Sequence, residues 1–232
     1  VRDLLIPAAD LVLGVRCAGC GGPALALCRT CGEAIRPHPE IAWPTPAPES
    51  LRGTRPVPPI AAGRYTDVLR RVIVAWKEQG NTRLTTPLDH LLAASVLVHV
   101  RHGCPVVLVP VPTSRRSRRA RGCDLVGELA TSSARLLRRV GVDARVAWAL
   151  ASARETVDQV GLDAAERSNN LRGAFRLRST RLLVGRDIVV VDDILTTGAT
   201  MTEAVRALSA AGHRPIGAAV VAATPRIAGD RP

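Results

Sequence analysis

The sequence predicts an α/β fold, a Rossmann-like and mainly parallel sheet flanked by helices, preceded by a small cysteine module. Three observations predict it. Segments of helical period alternate with short β-branched runs from residue 60 onward, the pattern of strand–helix–strand units. Apolar residues make up 47% of the 232 positions while aromatics make up 2%, so a sizeable core must be built from Val, Leu, Ile and Ala. Four of the six cysteines crowd into residues 1–36, ahead of that alternation.

Taken in order, Tyr65, Val68, Leu69, Val72, Ile73 and Trp76 recur at helical spacing, and Gly80 supplies a C-terminal stop. A second helix is expected from Thr86, with Pro87 at its first position, where the missing N–H costs nothing. Val106 to Val111 is a short apolar run ended by Pro112 and reads as a buried strand. Leu125, Val126, Leu129, Leu136, Leu137 and Val140 form the next helical face. Arg145 to Leu150 is expected as a second strand, and Asp187 to Val191, the most β-branched run, as a third. Thr200 and Glu203 have capping-box spacing ahead of Met201, Ala204, Val205 and Leu208, with Gly212 closing that helix. Ile216 to Ala223 reads as the last strand.

Composition divides the chain into a cysteine module at 1–36, a stiff linker at 37–59 holding eight of the 17 prolines, and a main domain at 60–232. No apolar run reaches the roughly 18–20 residues that span a bilayer. The apolar start, Val1 to Gly14, contains Arg2, Asp3 and Asp10 and lacks a basic leader, so neither signal peptide nor membrane span is expected, and the location expected is cytoplasmic. The net charge is +12, and Lys77 is the single lysine among 32 basic residues. Arginine forks bind phosphate bidentately, which permits a nucleic-acid partner; arginine-rich codon usage explains the balance equally well.

The chemistry concentrates at Val189-Val190-Val191-Asp192-Asp193-Ile194-Leu195-Thr196-Thr197-Gly198-Ala199-Thr200. In open parallel sheets ligands bind beyond the carboxyl ends of strands. Here a buried strand runs into two carboxylates, a loop of small residues and a helix start. A helix N-terminus offers free N–H groups and the positive end of its dipole. Thr196, Thr197 and Thr200 add hydroxyl donors, and Gly198 lets the backbone approach a phosphate. Asp192 and Asp193 would repel a bare phosphate, so they require hydroxyl donors or a cation, and a ribose diol supplies the former. Phosphate cup and diol clamp together describe a ribose 5-phosphate. Neither the P-loop pattern nor the Gly-x-Gly-x-x-Gly pattern occurs after a strand. The plain alternative is a strand end followed by a helix cap. The string closely resembles the phosphoribosyl-pyrophosphate motif of type I phosphoribosyltransferases. That resemblance implies ribose contacts for Asp192 and Asp193 and 5′-phosphate contacts for Thr196, Thr197, Gly198, Ala199 and Thr200.

Two hooks, Cys17-x-x-Cys20 and Cys28-x-x-Cys31, can each bring two thiolates to one ion, and four thiolates close a tetrahedral zinc site. So short a segment has little core, and metal binding would supply its folding energy. Two disulfides or a redox pair are the alternatives. His38 lies too far past the second hook to be a preferred ligand, and Cys104 and Cys123 are expected as ordinary buried thiols.

The first strand ends in Val109-Pro110-Val111-Pro112, followed by five arginines between 115 and 121. Arg115 and Arg116 are placed to clamp pyrophosphate; the rest of the run reads equally as a solvated basic face. A long polar stretch, 151–173, carries Arg154-x-Thr156-x-x-Gln159, Arg167-x-x-Asn170 and Gly173-Ala174-Phe175. The order of cysteine module, Lys77-x-x-Gly80, V-P-V-P with arginines, R-x-T-x-x-Q, R-x-x-N, G-A-F and the acidic–threonine string resembles the ComF family over nearly the whole chain. This implies a type I phosphoribosyltransferase fold, phosphoribosyl pyrophosphate with Mg2+, structural Zn2+, a lid near 151–173 and a catalytic place for Arg154 beside Asp192 and Asp193. The lid lacks the basic and aromatic residues of orotate-type enzymes, so the resemblance does not name an acceptor. Two functions stay open: transfer of the phosphoribosyl group to a nitrogenous acceptor, or a non-catalytic accessory of DNA uptake that binds single-stranded DNA or a helicase. Three tryptophans and one tyrosine offer few stacking platforms for the latter.

Overall fold

The computed structural model describes residues 16–113, 122–153 and 171–225. Its centre is a six-stranded sheet in the order β1-β2-β8-β7-β3-β4. These strands are β1 (Glu40–Ile41), β2 (Pro59–Arg64), β3 (Val106–Pro110), β4 (Ala144–Val146), β7 (Asp187–Leu195) and β8 (Gly217–Ala223). All neighbouring pairs are parallel except β1 with β2. Two short strands, β5 (Leu150–Ser152) and β6 (Phe175–Leu177), form a separate antiparallel pair. The α/β class and the mainly parallel sheet expected from the alternation are therefore observed.

Strand alternation sorts the core into two layers. Val106, Leu108, Val189, Val191, Ala219 and Val221 face α3 (Asp67–Glu78), α4 (Thr85–Leu97) and α5 (Leu125–Arg139). Val107, Val109, Ile188, Val190, Ala218 and Val220 face α6 (Ala199–Ala210), α2 (Glu49–Arg52) and the β5–β6 pair. Helix α4 has buried residues all around it, from Leu88 through Val96, because α5 covers one side and β8 and β2 the other. Its polar groups find partners in the sheet: Ser95 donates to the Val220 carbonyl at 2.8 Å, and His99 Nε2 lies 3.0 Å from the Ala218 carbonyl oxygen.

Several local expectations shift. The helix expected from Thr86 starts at Thr85 behind a 3₁₀ turn at Thr82–Leu84, so Pro87 is its third residue. The strand expected over 145–150 is two strands in different sheets, with Trp148 half exposed between them. The capping box does not form. Helix α6 starts on Gly198 without a side-chain cap, and Glu203 instead accepts the Phe175 N–H at 3.0 Å and pairs with Arg206 at 2.7 Å. Tertiary partners on the β5–β6 pair thus outcompete a local bond. The proline-rich stretch, expected as a linker, carries β1 and α2 and buries Leu51 completely beneath α6. Cys104 and Cys123 are half-buried. Among the described residues no helix is long and apolar enough to cross a membrane.

Candidate functional site

Strand β3 continues outward to β4 on one side, and the chain then returns to place β7 on the other side of β3. This reversal falls at the carboxyl ends of β3 and β7, the position where open α/β sheets hold ligands. The acidic–threonine string lies there. The strand expected to stop at Val191 runs on to Leu195, because β8 stays in register alongside through Ala223. Both aspartates are consequently strand residues.

Their environments differ. Asp193 is buried, and its Oδ2 lies 2.6 Å from Lys77 Nζ at the C-terminal end of α3. Asp192 is half-buried and its Oδ1 accepts the Asp193 N–H at 2.8 Å. Burial, and then the charge of Asp193, push the Asp192 carboxyl well above its ordinary range, while Lys77 and the Asp193 N–H pull the other way.

After Leu195 the chain turns through an exposed Thr196 and a half-buried Thr197 into Gly198, whose φ of 76° is the left-handed conformation glycine adopts without strain. Helix α6 begins at the next residue, so its first-turn N–H groups face the loop, and Thr200 stands in that turn. Thr197 Oγ1 accepts the Ala199 N–H at 3.4 Å. A roof lies over this turn: a Cβ at Gly198 would stand 2.8 Å from Pro44 Cγ and 3.7 Å from Pro48 Cγ. Trp43, beside that roof, is overlaid by the Arg52 guanidinium at 5.3 Å from the ring centroid. The proline-rich stretch therefore shapes the loop, which composition alone did not suggest.

Arg115, Arg116 and the remainder of the arginine run, together with Arg154 and the lid motifs through Asn170, lie outside the described residues. What flanks them is placed: Val111 follows β3 and donates its N–H to the Val191 carbonyl at 3.0 Å, and Thr113 donates to Asp124 Oδ1 at 2.7 Å. Gly173-Ala174-Phe175 leads into β6 beside α6. Lys77, quoted above in the Lys77-x-x-Gly80 motif without a role of its own, is the residue that the fold adds to this site. Its signal was present as the only lysine in an arginine-rich chain, but contact with Asp193 across more than a hundred residues has no local signature.

The second site is the cysteine module. Cys17, Cys20, Cys28 and Cys31 converge, with all four sulfurs within 4.8 Å of one another, and are positioned to bind a metal ion. A tight turn closed by the Cys17 N–H on the Gly22 carbonyl at 2.7 Å, with Gly21 at φ 77°, presents the first hook. Helix α1 (Arg29–Ala34) starts directly after Cys28 and presents Cys31. Cys20 Sγ and Cys28 Sγ are 3.8 Å apart, and a tetrahedron of Zn–S bonds near 2.3 Å requires sulfurs about 3.8 Å apart. Although burial opposes the thiolate at Cys17, N–H groups of Cys28, Cys20 and Gly19 bring it down to about 6. Burial and sulfur neighbours push Cys31 up to about 12. Four thiols so close cannot all ionise unless a cation shares the space. The module is seated on α3: Arg71 Nε donates to the Gly19 carbonyl, and Val68 packs against Cys17 and Cys31.

In comparison with known families, residues 129–230 match the phosphoribosyl transferase domain. The matched stretch covers less than half of the chain and contains most of α5, all of β4 to β8, both aspartates and the threonine loop. It supports phosphoribosyltransferase-like function and bears on neither a DNA nor a helicase partner. No curated protein matches the chain.

Proposed function

We propose that the site at the carboxyl ends of β3 and β7 binds phosphoribosyl pyrophosphate and that the protein transfers the phosphoribosyl group to a nitrogenous acceptor. The observation that carries this reading is the order of groups along one element: a carboxylate at the strand end, a left-handed glycine, then an uncapped helix N-terminus. The 5′-phosphate would sit on the α6 N–H groups with Thr196, Thr197 and Thr200. The ribose hydroxyls would donate to the acidic pair. The leaving pyrophosphate is assigned to Arg115 and Arg116, and a catalytic place to Arg154. Departure of pyrophosphate leaves positive charge at the anomeric carbon, so the protein's contribution would be placement and electrostatics. Magnesium would arrive chelated by pyrophosphate oxygens, as this ion commonly does with few protein ligands.

The same reading places structural zinc in the cysteine module and the protein in a reducing, cytoplasmic setting where its thiols stay available. Exchange of labelled pyrophosphate into phosphoribosyl pyrophosphate, run with a panel of bases, tests catalysis. Exchange with one base supports transfer. Tight binding without exchange for any base would overturn the enzymatic reading and leave a ligand-binding module.

A further inference from the structure

We propose that Lys77 is a positioning residue of the ribose-phosphate site, which holds Asp193 as a fixed scaffold and leaves Asp192 as the hydroxyl acceptor. The inference rests on the reading of that site given above and divides the labour between two carboxylates that adjacent positions would otherwise suggest act alike.

Three observations support the division. Asp193 follows Val189 and Val191 on the face of β7 covered by α3, α4 and α5, where it is 4% exposed. A carboxylate there needs a counter-charge, and Lys77 Nζ stands 2.6 Å from its Oδ2. Asp192 is half-buried where Asp193 is buried, so it has the access to a ligand that Asp193 lacks.

Lys77 is itself held firmly. Val72, Ile73 and Trp76 of the same helix are buried in the core, so the register of α3 is fixed and the last turn is delivered to the end of β7. The other end of α3 is gripped by the cysteine module through Arg71 and Val68. An ammonium is a compact point charge on a flexible stem, whereas a guanidinium presents a wide planar fork. This accounts for a lone lysine at this position in a chain whose other 31 basic residues are arginine.

The test uses the full chain in four forms besides the unsubstituted protein: Lys77→Met, Asp193→Asn, the double variant and Asp192→Asn. Binding of phosphoribosyl pyrophosphate with excess magnesium is followed by calorimetry, and urea unfolding is measured on the same samples. Lys77→Met should weaken binding by about tenfold or more, and Asp192→Asn by more again. The double variant should recover to within about threefold of the unsubstituted protein, because an amide at 193 needs no counter-charge and Asp192 is intact. Its unfolding should likewise recover relative to Lys77→Met, which tests the pair without any ligand. The proposal is overturned if Lys77→Met binds like the unsubstituted protein. It is also overturned if Asp193→Asn and the double variant lose as much affinity as Asp192→Asn, since both carboxylates would then hold the ribose. Should Lys77→Met fail to fold, the double variant and Asp193→Asn decide the same question. No binding by the unsubstituted protein, with the unfolding cycle still showing a coupled pair, would overturn the ribose-phosphate reading itself and with it this assignment.

Discussion

Replacement of Gly198 by alanine tests the geometry of the acidic–threonine loop. The substitution adds one methyl group and meets two obstacles. The backbone at 198 has φ 76°, where an L-residue with a Cβ costs roughly 1–2 kcal/mol. The new Cβ would also lie 2.8 Å from Pro44 Cγ, a contact that must open by several tenths of an ångström. Proline is a poor neighbour to displace because its ring cannot change rotamer freely. Overpacking of this kind costs about 1–3 kcal/mol. Together the two effects give about 2–5 kcal/mol, or roughly 4–20 °C in Tm for a chain of this size. The contributions separate in a Gly198→Ala/Pro44→Ala double variant, which relieves the clash and keeps the strained φ, so about half of the loss should return. Urea and thermal unfolding measure both, and calorimetry with phosphoribosyl pyrophosphate shows whether the loop still forms its cup. A Gly198→Ala variant within about 0.5 kcal/mol of the unsubstituted protein would refute the left-handed turn and its proline roof.

The cysteine module should hold about one zinc per chain, found by metal analysis of protein purified without added metal; Cys28→Ser should lose it and expose residues 16–36 to protease. Glu203→Gln should cost about 2 kcal/mol, because a buried carboxylate that accepts the Phe175 N–H and pairs with Arg206 becomes neutral. Burial alone would raise the Glu203 carboxyl, but Arg206 and the Phe175 and Gly173 N–H groups hold it below its ordinary 4.5. Its stabilisation is therefore present above 4.5 and lost as pH falls through the lowered value, and the acid limb of the unfolding profile should flatten in the variant. Asp192 carries the opposite sign. Its carboxyl is raised, so the folded state holds the proton longer, and its contribution to stability declines as pH climbs from 3.8 through the raised value. Asp192→Asn should remove that decline, and an unchanged slope would remove the reason for it.

The strand β7 and the loop after it were legible in the sequence because their signals are local. A β-branched run, two acids, small hydroxyl residues and a glycine form one continuous string that needs no distant partner to be read. The two cysteine hooks were legible for the same reason, since their spacing limits what four thiols can do. The capping box was misread because Glu203 has better partners 28 residues away, at Phe175, than its own helix end offers. The strand over 145–150 was misread because apolar content does not show where a chain leaves one sheet for another.

By itself, then, the amino-acid order determined the fold class, the acidic–threonine string as candidate ribose-phosphate site and the four-cysteine set, each a feature of periodicity or short spacing. Only the tertiary structure decided how far each aspartate is buried, that Lys77 stands against Asp193, that α3 joins the cysteine module to the end of β7, and that a proline-rich stretch roofs Gly198. These depend on residues brought together across long loops. Packing of the whole core sets their distances, and no local pattern records it.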